Sequence, residues 1–267
     1  MQEWQPKVTP FAKIKVVFFL VSIFILSWCH AQSTLGGMHG HLIVPDAYTF
    51  NENAFVLGTS LYPGKHLYID RFSRSGRINN ELYSFATINF IEWLDLSFCI
   101  TRIIGVENEL NGIGDRSLNA KVRLVKEGNL MPSIAIMLEA PGGDNNYLAS
   151  NSIVASKIFN NFQTTVGWGT PYILDRKIKG FGSEDFYGSM FNLFLNEKPN
   201  NYLKGILLAA SYNYLIKNQI SLKPTIEFDG RKFNSGLQLY HTNFGITLYF
   251  PGFNSFSMGL NTKWVIH

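Results

Sequence analysis

Charged side chains are sparse in this chain, and several of those that could do chemistry recur at one kind of position. Asp95, Lys121, Arg123, Glu139 and Lys263 each lie in a stretch where apolar and polar residues alternate, and each falls on the polar set. Alternation of period two sends the two sets to opposite faces of a strand. The five are therefore candidates for one shared polar surface inside a barrel. With Lys121, Arg123 and Lys263 against Asp95 and Glu139, that surface is modestly basic, which suits an anionic chain in a confined space. The competing reading is a set of internal ion pairs closing a narrow pore.

Other candidates are thinner. His39 and His41, two apart, can face one side of an extended segment and touch a metal, but no third ligand stands close in sequence, so no metal site and no cofactor are expected. Residues 141–146, with Gly142, Gly143, Asp144 and Asn145, read as a plain turn-forming loop rather than a calcium or sugar site. Residues 70–77, with Arg71, Arg74 and Arg77, make a basic loop able to meet lipopolysaccharide phosphates or an anionic polymer. The chain carries no nucleophile elbow, phosphate loop, metalloprotease helix or paired-cysteine motif. The reading is non-enzymatic.

The elements that must position these residues are strands. Residues 94–101 place every apolar residue on even positions, residues 117–124 do the same, and residues 256–264 put Phe256, Met258, Leu260 and Trp264 opposite Ser257, Gly259, Asn261 and Lys263. Strands are predicted at 54–62, 81–90, 94–103, 116–125, 132–140, 151–159, 162–170, 186–195, 205–214, 234–241, 243–250 and 255–264. Residues 221–228 alternate too, but Pro224 lacks a ladder donor and assigns them to a loop. About twelve strands follow, joined by connections that tend to alternate short and long. Outer-membrane barrels have that rhythm, with both chain ends on the short-turn, periplasmic side.

The N-terminus supplies the address. Residues 1–15 carry Lys7, Lys13 and Lys15 against Glu3, and residues 16–26 are apolar apart from Ser22. Eleven helical residues rise only about 16 Å, too short for a bilayer core of about 30 Å. Residues 1–31 therefore read as a signal peptide cleaved after Ala31, with lipidation of Cys29 as the alternative. Cleavage leaves Cys99 without a disulfide partner. It also removes three of the 23 Lys and Arg residues and one of the 19 Asp and Glu residues, leaving an excess of two positive charges and no basic run. Nucleic-acid binding is excluded on that count.

Strands of eight to ten residues suit a tilted membrane span better than a sandwich. Tyr62, Phe90, Trp93, Trp168, Tyr172, Tyr212, Tyr214, Phe244, Phe250 and Trp264 gather near strand ends, as interfacial aromatic girdles do. Arg102 falls on the apolar set at a strand end, where it can snorkel. The expectation is an all-β protein: an antiparallel transmembrane β-barrel of about twelve strands, residues 54–267, after a signal peptide, residues 1–31, and a periplasmic lead-in or plug, residues 32–53.

The stretch Gly114-Asp115-Arg116-Ser117-Leu118-Asn119-Ala120-Lys121-Val122-Arg123-Leu124, continued by Glu127-Gly128 and Met131-Pro132-Ser133-Ile134-Ala135, resembles the YjbH-like family of outer-membrane exopolysaccharide proteins. So do Tyr147-Leu148-Ala149-Ser150, Val154-Ala155-Ser156-Lys157, Val166-Gly167-Trp168-Gly169 and the early Gly40-His41-Leu42-Ile43-Val44-Pro45-Asp46-Ala47. The resemblance implies a cell outer-membrane barrel that assists export or assembly of exopolysaccharide or capsule, and it brings no catalytic residues. Expected partners are outer-membrane lipid and lipopolysaccharide, the barrel assembly machinery, and exopolysaccharide with its export proteins. A general channel or structural barrel without a glycan role, and a soluble periplasmic β-sandwich binding module, are the alternatives.

Overall fold

The computed structural model describes residues 32–50, 53–63, 80–104, 116–141, 150–171, 203, 205–217 and 220–265. The expected signal peptide with Cys29, the strand at 186–195, the basic loop at 70–77 and most of the turn-rich 141–146 lie outside these residues. What is described is strand and turn.

The strands are β1 (Ala54–Tyr62), β2 (Glu81–Ile91), β3 (Leu94–Ile103), β4 (Arg116–Val125), β5 (Ser133–Pro141), β6 (Ser150–Phe159), β7 (Phe162–Pro171), β8 (Gly205–Tyr212), β9 (Tyr214–Lys217), β10 (Ile220–Phe228), β11 (Phe233–His241), β12 (Phe244–Pro251) and β13 (Ser257–Val265). Every strand but β8 pairs antiparallel with the next, β13 returns to β1, and β10 pairs with β8, with β9 and with β11. β8 and β9 form one interrupted strand of the wall, so the ring has twelve positions and no free edge. Closure rules out the two-sheet sandwich.

One expectation needs correcting. Residues 221–228 are wall, not loop, and β7 pairs directly with β8. The physical reason lies at Pro224. On one side it pairs with Leu237 of β11; on the other, β10 pairs with β9 up to Leu222 and with β8 from Thr225, leaving Lys223 and Pro224 opposite the interruption at Asn213. The missing donor falls where the neighbouring strand has broken. Asn213 N–H bonds instead to the Asn161 carbonyl at 2.8 Å.

The wall is inverted relative to a water-soluble protein. Large apolar side chains such as Phe98, Leu118, Leu138, Ile153, Val166, Ile226, Ile246 and Leu260 are exposed on the outside, while Thr87, Asn119, Ser152, Thr165, Gln238 and Thr247 are buried inside. That is the pattern of a barrel whose outer face meets lipid. Aromatic residues crowd both ends of the outer face: Phe90, Trp93, Phe159, Tyr214, Phe244 and Trp264 at one rim, Phe228, Phe233, Phe250 and Phe256 at the other. Tyr62 departs from the expected girdle, because its parity turns it inward against Tyr83. Arg102 is exposed on the outer face.

One rim carries the tight turns at 92–93, 160–161 and 242–243, together with the start of β1 and the end of β13. Asn160 takes a φ of +56° there, a left-handed conformation that Asn tolerates and two-residue hairpins require. The opposite rim carries the ends of β1, β3, β5 and β7 and the starts of β2, β4, β6 and β8. The last two connections there, 229–232 and 252–256, are short.

Candidate functional site

The interior of the ring is occupied by the chain itself. Residues 32–50 turn through a compact loop closed by the bridge Gly40 to Pro45 and by Leu35 N–H to Leu42 C=O at 2.7 Å. Leu35, Leu42, Ile43, Val44 and Phe50 are buried and pack against wall residues including Val56, Phe85, Leu207 and Tyr249. Two wall glycines make room: a Cβ at Gly236 would stand 2.6 Å from the Leu42 side chain, and one at Gly259 would stand 2.6 Å from that of Leu35.

Polar attachment is equally dense. Glu227 of β10 accepts from three consecutive backbone donors of the plug, Leu42 N at 3.1 Å, Ile43 N at 3.2 Å and Val44 N at 3.2 Å. Convergent successive N–H groups make a concave anion seat, here filled by a wall carboxylate. Asp95 of β3 accepts from Phe50 N at 3.2 Å and from Asn89 Nδ2 at 2.7 Å. Gln238 donates to the carbonyls of Ser33 and His41, and Ser60 and Thr87 donate to those of Leu35 and Gly37. At the short-turn rim the Tyr48 hydroxyl donates to Glu127 at 2.6 Å and Thr49 to the Glu92 carbonyl at 2.5 Å.

A buried charge cluster anchors the middle of the plug. Asp46 accepts from His39 Nδ1 at 2.8 Å, Tyr48 N at 3.0 Å and Gln163 Nε2 at 2.7 Å, and the Lys121 ammonium lies 3.6 Å away. Lys121 also donates to the carbonyls of His39 and Tyr48. Burial works against ionising Asp46, but the His39 ring, Lys121 and His41 outweigh it and hold the carboxyl well below its usual range.

The sequence candidates are distributed as follows. Asp95 and Lys121 stand opposite one another across β3 and β4, both fully buried, and each holds the plug. Lys263 lies 5.6 Å over the Phe50 ring. Arg123, although inward by parity, reaches the short-turn rim and grips Glu92 at 2.8 Å. Glu139 is buried higher in the lumen, beside the cavity over the plug. Sequence reasoning missed Glu81, Lys223 and Glu227 on the inner face. The signal for the last two was present, since Ser221, Lys223, Thr225 and Glu227 alternate with apolar neighbours, but Pro224 overruled it. With them, the described strands turn Lys121, Arg123, Lys223 and Lys263 inward against Glu81, Asp95, Glu139 and Glu227, so the described wall is balanced in charge.

His39 and His41 do not share a ligand side. The first meets Asp46, while the second meets Thr165 Oγ1 at 2.8 Å, and Thr165 meets Ser156 at 2.7 Å. Among the described residues no His, Cys, Asp and Glu group has the arrangement of a metal site. Among the described residues His41 Nδ1 has no hydrogen-bond partner, and His41, Thr165 and Ser156 are all buried.

Burial lowers the pKa of His41 well below its ordinary value, with Lys223 adding to the effect and Asp46 opposing it; burial likewise lowers that of His39. Released into water, both rings would regain a pKa of about 6.5. For these two rings the released state then binds more protons below that pH, so their own contribution to the attachment weakens in acid and strengthens as pH rises. Protease sensitivity of residues 33–50 is expected to increase as pH falls from 7.5 to 5.5 and to change less in His41→Asn. An unchanged pH response in that variant would remove His41 from the effect.

The cavity between the plug and Tyr62, Tyr83, Met137, Glu139 and Leu203 measures about 30 Å³, room for a water or two and not for a sugar. A larger groove of about 460 Å³ opens on the outer wall among Ala155, Val166, Leu208, Ile226 and Phe228, an apolar surface of the kind acyl chains cover.

The family model YjbH, described as "Exopolysaccharide biosynthesis protein YbjH", matches residues 72–185. That interval encloses most of the residues that carry the resemblance in sequence. No curated protein matches the chain. Among solved structures, the KdgM porin superposes with a TM-score of 0.46 at 8% identity, covering 80% of this chain and 99% of that one. The outer membrane protein Omp33 of Acinetobacter baumannii gives a TM-score of 0.42 at 10% identity, over 80% and 98%. The Salmonella typhi outer membrane phospholipase, in a structure of its dimer with bound calcium, gives 0.38 at 9% identity, over 88% and 99%.

Proposed function

We propose that this chain is a non-enzymatic barrel of the cell outer membrane that assists export or assembly of exopolysaccharide or capsule, and that residues 32–50 keep its lumen shut at rest. The observation that carries the reading is the pairing of a lipid-type outer wall with a polar lumen filled by its own plug, in a chain whose residues 72–185 match an exopolysaccharide biosynthesis family. The tight-turn rim faces the periplasm, so the start of β1 and the end of β13 lie there, and the long connections face outward among lipopolysaccharide. The barrel assembly machinery inserts the wall, and export proteins meet the rim where the plug enters.

The sealed lumen bears on mechanism. With residues 32–50 packed against the inner wall, passage of a polymer requires the plug to move. The polar inner face suits that role, because a glycan can replace the plug's hydrogen bonds one for one. A purely structural barrel also keeps its lumen shut, and a gene-deletion strain separates the two. Surface polysaccharide should fall several-fold in the strain and return with the wild-type gene. Unchanged polysaccharide, together with a heat-modifiable band in the outer-membrane fraction, would leave the structural barrel standing.

A further inference from the structure

We infer that Lys121, Gln163 and Lys223 form a carboxylate-binding site in the lumen wall, that Asp46 of the plug occupies it at rest, and that it takes the carboxylates of an acidic polysaccharide when the plug moves out. The site is built into the wall. Lys121 on β4, Gln163 on β7 and Lys223 on β10 are all nine-tenths buried or more, and all point inward. Gln163 Nε2 donates to Asp46 Oδ2 at 2.7 Å, and the Lys121 ammonium stands 3.6 Å from Asp46 Oδ1. Lys223 donates to Gln163 Oε1 at 3.0 Å, which turns the amide so that its NH₂ faces the carboxylate. Lys223 is thus a positioning residue.

The remaining ligands of Asp46, His39 Nδ1 and Tyr48 N–H, belong to the plug and leave with it. Withdrawal therefore exposes the Lys121 ammonium and the Gln163 amide, a seat that fits one carboxylate because the plug presents one there, with Asp95 and Glu227 of the wall as its acidic neighbours. A second observation points to a polyhydroxylated ligand along the inner wall. Among the described residues, Asn119 Oδ1, Ser152 Oγ, Ser211 Oγ, Gln238 Oε1 and Asn261 Oδ1 are buried side-chain atoms of the inner wall without a hydrogen-bond partner. Buried polar atoms want partners, and the hydroxyls of a polysaccharide supply them. On this reading the plug is an internal competitor of the cargo.

The inference rests on the exopolysaccharide reading for its ligand, while the carboxylate seat can be tested without it. In the full-length barrel, Asp46→Ala leaves the seat empty. Its thermal midpoint, read from the heat-modifiable band, should fall by about 5 °C, and tens of millimolar formate should recover at least half of the loss. Chloride at equal ionic strength should not, and neither should formate in Asp46→Ala/Lys121→Met. A folded Asp46→Ala barrel indifferent to formate overturns the seat.

A barrel lacking residues 33–50 tests the cargo independently and covers a failure of Asp46→Ala to fold. Oligouronates should block its conductance at about tenfold lower concentration than neutral maltooligosaccharides of equal length, and that ratio should fall toward unity in Lys121→Gln/Lys223→Gln. Equal blocking by both sugars overturns the preference for acidic polymers. Formate rescue in a protein whose deletion strain keeps its polysaccharide would leave the seat standing and remove the exopolysaccharide reading. The opposite pair of results would do the reverse.

Discussion

Removing residues 33–50 is expected to convert a silent barrel into a conducting one. In planar bilayers the intact chain should give no resolved unitary steps, and the deletion should give regular openings with at least about tenfold more current at the same protein density. The basis is geometric: an eight-stranded barrel is filled by its own side chains and one of sixteen holds an open channel, so at twelve the contents decide. Here the contents are Leu35, Leu42, Val44, Asp46 and Phe50, all buried against the wall. Every wall strand keeps its ladder when the plug is gone, so the heat-modifiable band shift should survive. A folded deletion variant that stays silent would mean that the inner wall closes on itself, and the plug would lose its role as gate.

The second large effect is expected at Glu227. Glu227→Leu leaves the N–H groups of Leu42, Ile43 and Val44 buried without their acceptor, at about 1–3 kcal/mol for each unsatisfied group, and so costs at least about 3 kcal/mol of plug attachment. Glu227→Gln keeps one carbonyl oxygen in the seat and should cost about 1–2 kcal/mol. Amide hydrogen exchange at residues 42–44 reads both. Exchange there should accelerate by two to three orders of magnitude in the leucine variant while the amides of β1 to β4 stay protected. Equal, slow exchange in both variants would show that apolar packing of Leu42 and Val44 holds the plug alone.

Most of the wall was legible because a strand writes its two faces directly into the sequence. Residues 94–101 and 117–124 needed no partner to be recognised, and their inward residues Asp95, Ser97, Asn119 and Lys121 followed from parity. Residues 221–228 were misread by the same logic. A proline excludes a central strand only if the neighbour offers a continuous ladder, and here the neighbour is broken at Asn213. That fact belongs to a pairing between segments, and no single segment contains it. Arg123 shows the limit in another way: parity placed it inside, but its reach to Glu92 depends on where the β2–β3 turn ends up.

The plug itself lay beyond sequence reasoning in its particulars. His39 and Asp46 look unrelated in a string of letters; the bridge between Gly40 and Pro45 folds them together, and β4, β7 and β10 deliver Lys121, Gln163 and Lys223 around them. What the chain determined by itself was local and periodic: strands with an apolar and a polar face, short turns where Asn and Gly permit them, and a wall of about twelve members. Only the closed ring decided which polar residues meet, because its closure fixes the register of every strand against its neighbours. In that ring the described wall is balanced where the sequence counted it modestly basic, and residues 32–50, read from sequence as a lead-in or a plug, pack against its inner face.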